Sequence, residues 1–186
     1  ITGRGLEGIR MLVQAPGDFP REHRQALGAR LYGCDECTVV CPPSRLASRR
    51  LGDLPHGERP GPTVDVLEVL RLDDEALLER YGRWYLPGRD PNALRRNALV
   101  ILGNTGDGFD GATAAVLERY LADESQLLAG HAAWAALALG RQDLAVAAAD
   151  RPSVADELAA AGLVTSVAVG PRRSQADGAS ATSGGP

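Results

Sequence analysis

All three cysteines of this chain lie in one short run, LYGCDECTVVCPP, at Cys34, Cys37 and Cys41. The spacing C-x2-C-x3-C-P matches the last three ligand positions of the bacterial iron-sulfur run C-x2-C-x2-C-x3-C-P, and Leu31 occupies the first position. We therefore predict that Cys34 and Cys37 bind one 4Fe-4S cluster and that Cys41 binds a second one. Because leucine cannot bind iron, the missing thiolates must come from elsewhere.

Other uses of the cysteines stay open at this stage. A structural zinc site of the Cys3His type would recruit His23 or His56, although neither histidine lies at a short ligand step. A redox C-x-x-C motif would need a strand before it and a helix at its first cysteine, whereas LYG precedes and CPP follows. Three merely buried thiols would not require this spacing or the following proline. An odd number of clustered cysteines favours a metal or redox site over a structural disulfide.

The chain divides into three parts. Residues 1–60 are interrupted by Gly and Pro, with a short predicted helix at 20–27, and this loop-rich composition suits a small cluster-binding module. The segment LPHGERPGPT at 54–63 is typical of a linker, so we place a boundary near residue 60. Residues 61–169 are predicted to be helical, and the piece 63–165 is predicted to fold by itself without iron and without the preceding residues. The tail at 170–186 has little apolar content and is predicted to be disordered.

The helical part contains an internal echo. Apolar residues recur there at steps of three and four, which is the period of an amphipathic helix. The segments NALVILGNTG and HAAWAALALG begin at Asn97 and His131, 34 residues apart, and both close with Gly. This spacing suits stacked helical hairpins of the HEAT type, although chance similarity of two Ala-rich helices remains the alternative. The predicted fold class is mainly α, a cluster-binding module followed by a HEAT-like helical domain.

Composition excludes several classes of protein. The net charge of −4 and the sequence pI near 5.4 argue against a generally basic nucleic-acid coat. No apolar stretch is long enough to cross a membrane, and no signal peptide opens the chain, so we expect a cytoplasmic protein without a membrane partner. Because the chain begins at Ile1, we also expect it to be a piece of a longer protein.

A basic and aromatic stretch, RYGRWYLPGRDPNALRR at residues 80–96, suggests an RNA contact, since guanidinium groups bind phosphates and aromatic rings stack on unpaired bases. Arg95 and Arg96 follow Asp90-Pro91 at a predicted helix start, where cations are unfavourable unless an anion binds. They are the first candidates for phosphate contact on an exposed face, and Arg45, Arg49 and Arg50 are the second. In the alternative, Tyr81 and Trp84 belong to the core and the arginines are solvated or pair with acidic residues at 73–79. His131 is expected to be a buried or capping histidine.

Three segments together resemble a known family. QAPGDFPREHRQALGARLYGCDECTVVCPPSR, then RWYLPGRDPNALRRNALVILGNTGDG, then HAAWAALALGRQDL look like the C-terminal half of epoxyqueuosine reductase. The resemblance covers roughly residues 8–145. It implies a ferredoxin-like double-cluster module followed by HEAT-like helices, with a cobalamin-binding domain preceding them. The implied reaction is reduction of the epoxide of epoxyqueuosine in the tRNA anticodon loop.

The resemblance also has consequences for the cofactors and partners. In the family, an upstream cysteine supplies the ligand that the run lacks, and its position falls on Glu7 or Gly8 here, so this sequence has no cysteine for that ligand. The resemblance implies 4Fe-4S clusters in this chain, cobalamin bound mostly outside it, a tRNA anticodon stem-loop, an electron donor protein and a monomer. No catalytic residue falls on this chain. A ferredoxin-like electron carrier fused to a partner-binding helical domain and a structural zinc module on a helical scaffold are the alternatives.

Overall fold

The computed structural model describes residues 12–32, 42–43, 63–82, 84 and 86–163. The regular structure in these ranges is helical, and they contain no strand, which confirms the mainly α prediction. A 3-10 turn at Pro87–Arg89 precedes the longest helix. The helices are α1 (Arg21–Leu27), α2 (Val66–Arg71), α3 (Asp74–Tyr81), α4 (Asn92–Thr105), α5 (Gly111–Leu121), α6 (Gln126–Ala138), α7 (Gln142–Ala147) and α8 (Pro152–Ala160).

Short polar side chains begin several of these helices. Asp65, Asp73, Asp110 and Ser125 stand before α2, α3, α5 and α6, and each accepts a hydrogen bond from a backbone N–H of the following turn. Such caps satisfy N–H groups that have no partner within the helix. Gly28 ends α1 with a φ of 58°, a conformation that glycine adopts at little cost. Local sequence chemistry therefore sets many of the helix boundaries.

The helices pack around α4 and α6. Helix α4 contacts α1, α2 and α6, and helix α6 also contacts α5, α7 and α8. The two central helices approach closely at Gly103, where a Cβ would lie 2.7 Å from the Trp134 ring and 2.9 Å from the Ala135 Cα. Only a residue without a side chain allows this separation. The Tyr81 side chain is fully buried and Trp84 packs against the core, as the core interpretation of these aromatics expects.

Residues 12–32, which we call the N-terminal segment, belong to the same core as the later helices. Val13, Phe19, Leu27 and Leu31 are buried in one apolar cluster with side chains of α2 to α8. The sequence places this segment in a different domain from the helices. The boundary near residue 60 lies outside the described residues and stays a prediction, but the core of the helical part extends to residues well before it.

The 34-residue echo corresponds to two neighbouring helices. Its segments lie in α4 and α6, which pack against each other. The polar residues that open the two segments, Asn97 and His131, both bind backbone of the N-terminal segment: Asn97 Nδ2 donates to the Val13 carbonyl, and His131 Nε2 accepts from the Phe19 N–H. The polar residue that opens each repeated segment is thus the residue through which its helix binds the N-terminal segment.

Other predictions on the fold stay predictions. The cluster-binding module falls largely on residues outside the described ranges, as does the tail at 170–186. The described helices form a packed array, but their assignment to the HEAT type is not established by these contacts. Among the described helices, none is long and apolar enough to span a membrane.

Candidate functional site

Most of the predicted site residues cannot be placed. The three candidate iron ligands and the second group of candidate RNA contacts lie outside the described residues: Cys34, Cys37, Cys41, Arg45, Arg49 and Arg50. The structure describes the chain up to Tyr32, two residues before the first cysteine. The site that can be built from contacts is therefore the junction between the N-terminal segment, which leads into the cysteine run, and the helices.

Arg95 ties the start of α4 to the turn between α2 and α3. Its Nη1 forms an ion pair with Asp74 and lies 3.3 Å from Asn92 Oδ1, while its Nη2 donates to the Leu72 carbonyl at 3.0 Å. The side chain is buried, and the residue is 6% exposed. This pairing with an acidic residue of α3 is the arrangement that the alternative interpretation of the basic stretch expected.

Arg96 binds the backbone of the N-terminal segment. Its Nη1 donates to the carbonyls of Ala15 at 2.7 Å and Gly17 at 2.6 Å, and its Nη2 donates to the Leu12 carbonyl at 2.9 Å. Its Nε and Nη2 also donate to Asn97 Oδ1, at 3.1 and 2.9 Å. The five N–H groups of a guanidinium match this set of acceptors. Arg96 thus binds three carbonyl groups of the N-terminal segment at once.

The prediction that Arg95 and Arg96 lie on an exposed face is wrong. Arg96 is 0% exposed, and its guanidinium also lies over the Phe19 ring, 5.6 Å from the centroid. Burial lowers the pKa of Arg96 to about 10, so the side chain stays charged at neutral pH. The negative partners that we expected from an RNA phosphate are supplied inside the chain, by a carboxylate for Arg95 and by carbonyl oxygens for Arg96. RNA contact by Arg95 and Arg96 stays a prediction, and their burial removes the exposed face on which it rested.

A buried ion pair joins α1 to α8. Arg24 Nη1 donates to Glu157 Oε1 at 2.9 Å, and Arg21 Nε donates to Glu157 Oε2 at 2.8 Å. The remaining Arg24 donors reach the Phe19 carbonyl at 2.7 Å and Asp18 Oδ1 at 3.1 Å. A buried charge is tolerated when it is paired and its other polar atoms are hydrogen-bonded, and both conditions hold here.

Sequence analysis did not single out Arg24, Asn104 or Glu157. Asn104 of α4 completes the contact, since its Nδ2 donates to the carbonyls of Arg24 at 2.8 Å and Gly28 at 3.2 Å. A signal was present: Asn97, Asn104 and His131 are polar residues at inward positions of strongly apolar helices. Such a residue is buried only if something binds it. The sequence did not show that the binding partner is the N-terminal segment.

His131 is a buried histidine of α6, as expected, although it lies within the helix and not at its beginning. Its Nδ1 lies 2.7 Å from the Leu127 carbonyl and its Nε2 accepts from the Phe19 N–H at 3.2 Å, an arrangement that fits the neutral ring. Burial and the neighbouring Arg24 and Arg96 charges lower the pKa of His131 to about 3, against the opposing effects of the Leu127 carbonyl and Glu157. The Asp18 carboxylate also faces the ring, with Oδ1 3.4 Å from Nε2.

The depressed pKa of His131 predicts a loss of stability in mild acid. Below about pH 6.5 the His131 side chain is protonated in the unfolded chain. In the folded chain it becomes protonated only near pH 3. The free energy of unfolding should therefore be highest above pH 6.5 and fall by up to about 1.4 kcal/mol per pH unit below it. Urea unfolding between pH 7.5 and about 4.5, above the usual range of most carboxylates, measures this slope.

His131→Gln is the variant that checks the assignment. It should be less stable than the parent at pH 7.5, because Phe19 N–H and Leu127 carbonyl lose well-placed partners, and it should lose the slope. His23→Gln, at a half-buried position of α1, is the matched control and should keep it. An equal slope in the His131→Gln protein would show that another group carries the pH dependence.

The described fold and its junction define an all-helical domain that holds a preceding segment through buried arginine, asparagine and histidine side chains. Comparison with known proteins shows what the chain is similar to. The chain is 28% identical over 125 residues to the epoxyqueuosine reductase of Vibrio cholerae and 30% identical over 131 residues to that of Bacillus subtilis, alignments that cover 67% and 68% of this chain. The resemblance stated from the sequence is confirmed: the chain is related to a part of epoxyqueuosine reductase.

Solved structures agree with this relationship. A crystal structure of epoxyqueuosine reductase with an epoxyqueuosine-modified tRNA-Tyr stem loop matches with a TM-score of 0.63 and 25% identity, covering 81% of this chain and 41% of that chain. The Bacillus subtilis enzyme matches with a TM-score of 0.60 at 23% identity, which shows the shared fold. The chain spans 33% and 32% of the Vibrio cholerae and Bacillus subtilis reductases in sequence. No protein-family model matches the chain.

The donor set of the cysteine run fits iron-sulfur chemistry. Thiolates are the usual ligands of such clusters, and three of them lie within one stretch with the spacing of the bacterial run. The described residues contain no group of His, Cys, Asp and Glu side chains placed to hold a metal ion. The three cysteines lie outside those residues, so iron-sulfur binding by them is a proposal.

Proposed function

We propose that this chain is the electron-transfer and tRNA-docking part of an oxidoreductase that converts epoxyqueuosine to queuosine in tRNA. The observation that carries the proposal is its similarity, in sequence and in fold, to epoxyqueuosine reductases, one of them solved with a modified tRNA stem loop. Residues 1–60 would form part of a ferredoxin-like 4Fe-4S module, and residues 61–169 would form a HEAT-like helical domain. The enzyme would work in the cytoplasm as a monomer.

The proposal assigns limited chemistry to this chain. Iron-sulfur clusters at Cys34, Cys37 and Cys41 would pass single electrons from a donor protein toward cobalamin, which residues outside this chain would mostly hold. The part that the chain's own residues play is to hold the segment before the cysteine run on the helices and to bind RNA. Catalytic residues are not assigned to it.

The test of the function is a turnover experiment on the full-length protein. With cobalamin, a reductant and an anticodon stem-loop carrying epoxyqueuosine, anaerobic protein should convert the modified nucleoside to queuosine, whereas residues 1–186 alone should not. Nucleoside analysis by mass spectrometry measures the product. A full-length protein that binds the stem-loop but leaves the epoxide intact would contradict the proposed reaction.

A second prediction concerns iron. Full-length protein prepared anaerobically should be brown, and replacing Cys34, Cys37 or Cys41 singly by Ala should lower its iron content, because each thiolate holds a cluster. Iron and zinc are measured together by elemental analysis. Unchanged iron in the Cys41→Ala protein would contradict the assignment of that residue to a cluster, and colourless protein containing zinc would favour the structural zinc module.

A third prediction concerns the RNA. Replacing Arg45, Arg49 and Arg50 together by Ala should weaken stem-loop binding and reduce the slope of log K against log salt by about one unit for each phosphate that the variant no longer binds. The matched control replaces the same number of exposed arginines of the helices: Arg71, Arg80 and Arg119. If both triple variants lose affinity equally, the effect is one of net charge and not of a docking site. If the parent has no affinity for the stem-loop, the electron-carrier alternative is favoured.

A further inference from the structure

The first two residues of the cysteine run, Leu31 and Tyr32, are held by the helices. The Leu31 side chain is buried in the helical core at 7% exposure, and its carbonyl accepts a hydrogen bond from Asn97 Nδ2 at 3.1 Å. Asn97 cannot turn away easily, because its Oδ1 accepts from Arg96 and its Nδ2 also binds the Val13 carbonyl at 2.9 Å. Both the side chain and the backbone of Leu31 are therefore fixed on α4.

Tyr32 is held by an aromatic stack. Its ring lies 4.8 Å from that of Trp84 with an angle of 8° between the planes, and Trp84 also contacts the fully buried Tyr81, at 5.0 Å and 39°. Stacked aromatic pairs favour such an offset geometry, and Tyr81 belongs to α3. Trp84 thus connects the end of the described N-terminal segment to the helical core.

We propose that Leu31 and Tyr32 anchor the cysteine run to the helices, that the first position of the run is an anchor and not a ligand, and that Asn97 and Trp84 are positioning residues for the group that the cysteines bind. Cys34 follows Tyr32 by two residues in the sequence. The inference rests on the proposed function for the identity of that group, an iron-sulfur cluster.

The anchor explains why the first ligand position of the bacterial run carries Leu31. A cysteine there would place its sulfur among the apolar side chains of the core, where the Leu31 side chain now lies. Because the helical core occupies this position, the run has one ligand fewer. Its first residue is instead held rigidly by the helices. Residues that support ligands in this way typically affect metal affinity by 10- to 100-fold (roughly) when they are changed.

The main test uses Tyr32→Ser and Trp84→Leu in anaerobic full-length protein. Each should retain iron as isolated but release it to a chelator about tenfold faster than the parent and show altered visible circular dichroism of the cluster. The double variant should be no faster than either single variant, because both changes remove the same stack. Trp84→Phe, which keeps an aromatic ring, should restore the parental rate.

Trp134→Leu is the matched control, since Trp134 packs against Gly103 and Arg24 and is not one of the two stacked rings, Tyr32 and Trp84. It should change the melting temperature without changing the cluster spectrum or the release rate at a temperature where the protein is folded. Additive effects of Tyr32→Ser and Trp84→Leu, or equal acceleration by Trp134→Leu, would overturn the anchor and leave the proposed function standing.

An iron-free measurement separates the anchor from the cluster. In apoprotein, hydrogen exchange at Leu31 and Tyr32 should be faster in Trp84→Leu than in the parent or in Trp134→Leu. Unchanged exchange would overturn the anchor whether or not the protein binds iron. Iron missing from the parent, with faster exchange in the variant, would overturn the proposed function and the ligand-positioning role but would support the anchor itself.

Leu31→Cys tests the first position directly. The new thiol should react slowly with a thiol reagent in folded protein, and the variant should bind no more iron than the parent, because the core occupies the place of the side chain. A gain in iron, or the appearance of a complete cluster spectrum that the parent lacks, would show that position 31 can serve as a ligand and would overturn the proposal.

Discussion

Removing the N-terminal segment should abolish the cooperative unfolding of the helices. The piece 63–165 lacks the residues that cover Arg96, Asn97, Asn104, His131 and Glu157, so these polar groups lose their partners, and the apolar side chains that pack on Val13, Phe19, Leu27 and Leu31 become exposed. Exchanging a protein hydrogen bond for water costs about 0.5–1.5 kcal/mol, and exposing a large apolar side chain costs about 1.5–3 kcal/mol, so the summed losses are comparable to the roughly 5–15 kcal/mol that stabilises an ordinary domain. We expect a broad, low-temperature transition.

The control for this experiment is the piece 12–165, which retains the segment. Far-UV circular dichroism should show a helical protein with a sharp melting transition for 12–165 and a weakly cooperative one for 63–165. The expectation from the sequence was the opposite, that residues 61–169 would fold without the preceding part. Equal melting temperatures and equal sharpness for the two pieces would restore that expectation and would mean that the contacts of the segment contribute little to stability.

Arg96→Ala should be the most destabilising single substitution at the junction. It removes three hydrogen bonds to the backbone of the N-terminal segment and leaves a cavity over Phe19, so the free energy of unfolding should fall by about 3–5 kcal/mol. Arg96→Lys should recover little of the loss, because an ammonium group cannot reproduce the planar fork that reaches Leu12, Ala15 and Gly17 together. Urea unfolding monitored by circular dichroism measures both variants.

Arg80→Ala is the matched control for charge. Arg80 lies close in sequence but pairs with Glu68 at the surface, with the two side chains 44% and 41% exposed. An exposed pair of this kind contributes about 1 kcal/mol or less. A loss for Arg96→Ala as small as that for Arg80→Ala would mean that water replaces the guanidinium at the junction. The prediction also reverses the expectation that Arg96 lies on an exposed face.

Arg95 and Arg96 show which part of the junction the sequence could not predict. The sequence indicates that Arg95 and Arg96 are cations near a helix start that need a negative partner. Helix α4 begins at Asn92, as the Asp90-Pro91 pair predicts. The partner, however, is Asp74 for Arg95 and a set of carbonyl oxygens for Arg96. The need for an anion could be inferred from local rules, whereas its identity depended on which part of the chain folds back onto α4.

The sequence by itself determined the helical fold class, many of the helix starts and ends, the burial of Tyr81 and His131, and the relationship to epoxyqueuosine reductase. These features follow from periodicity, capping residues and ordered motifs, which act over a few residues at a time. Only the tertiary structure decided that the N-terminal segment covers α4, α6 and α8 and that Leu31 is buried in their core. Periodicity indicates that a side chain faces inward, but it carries no information about which distant backbone supplies the carbonyl or N–H group that the side chain meets there.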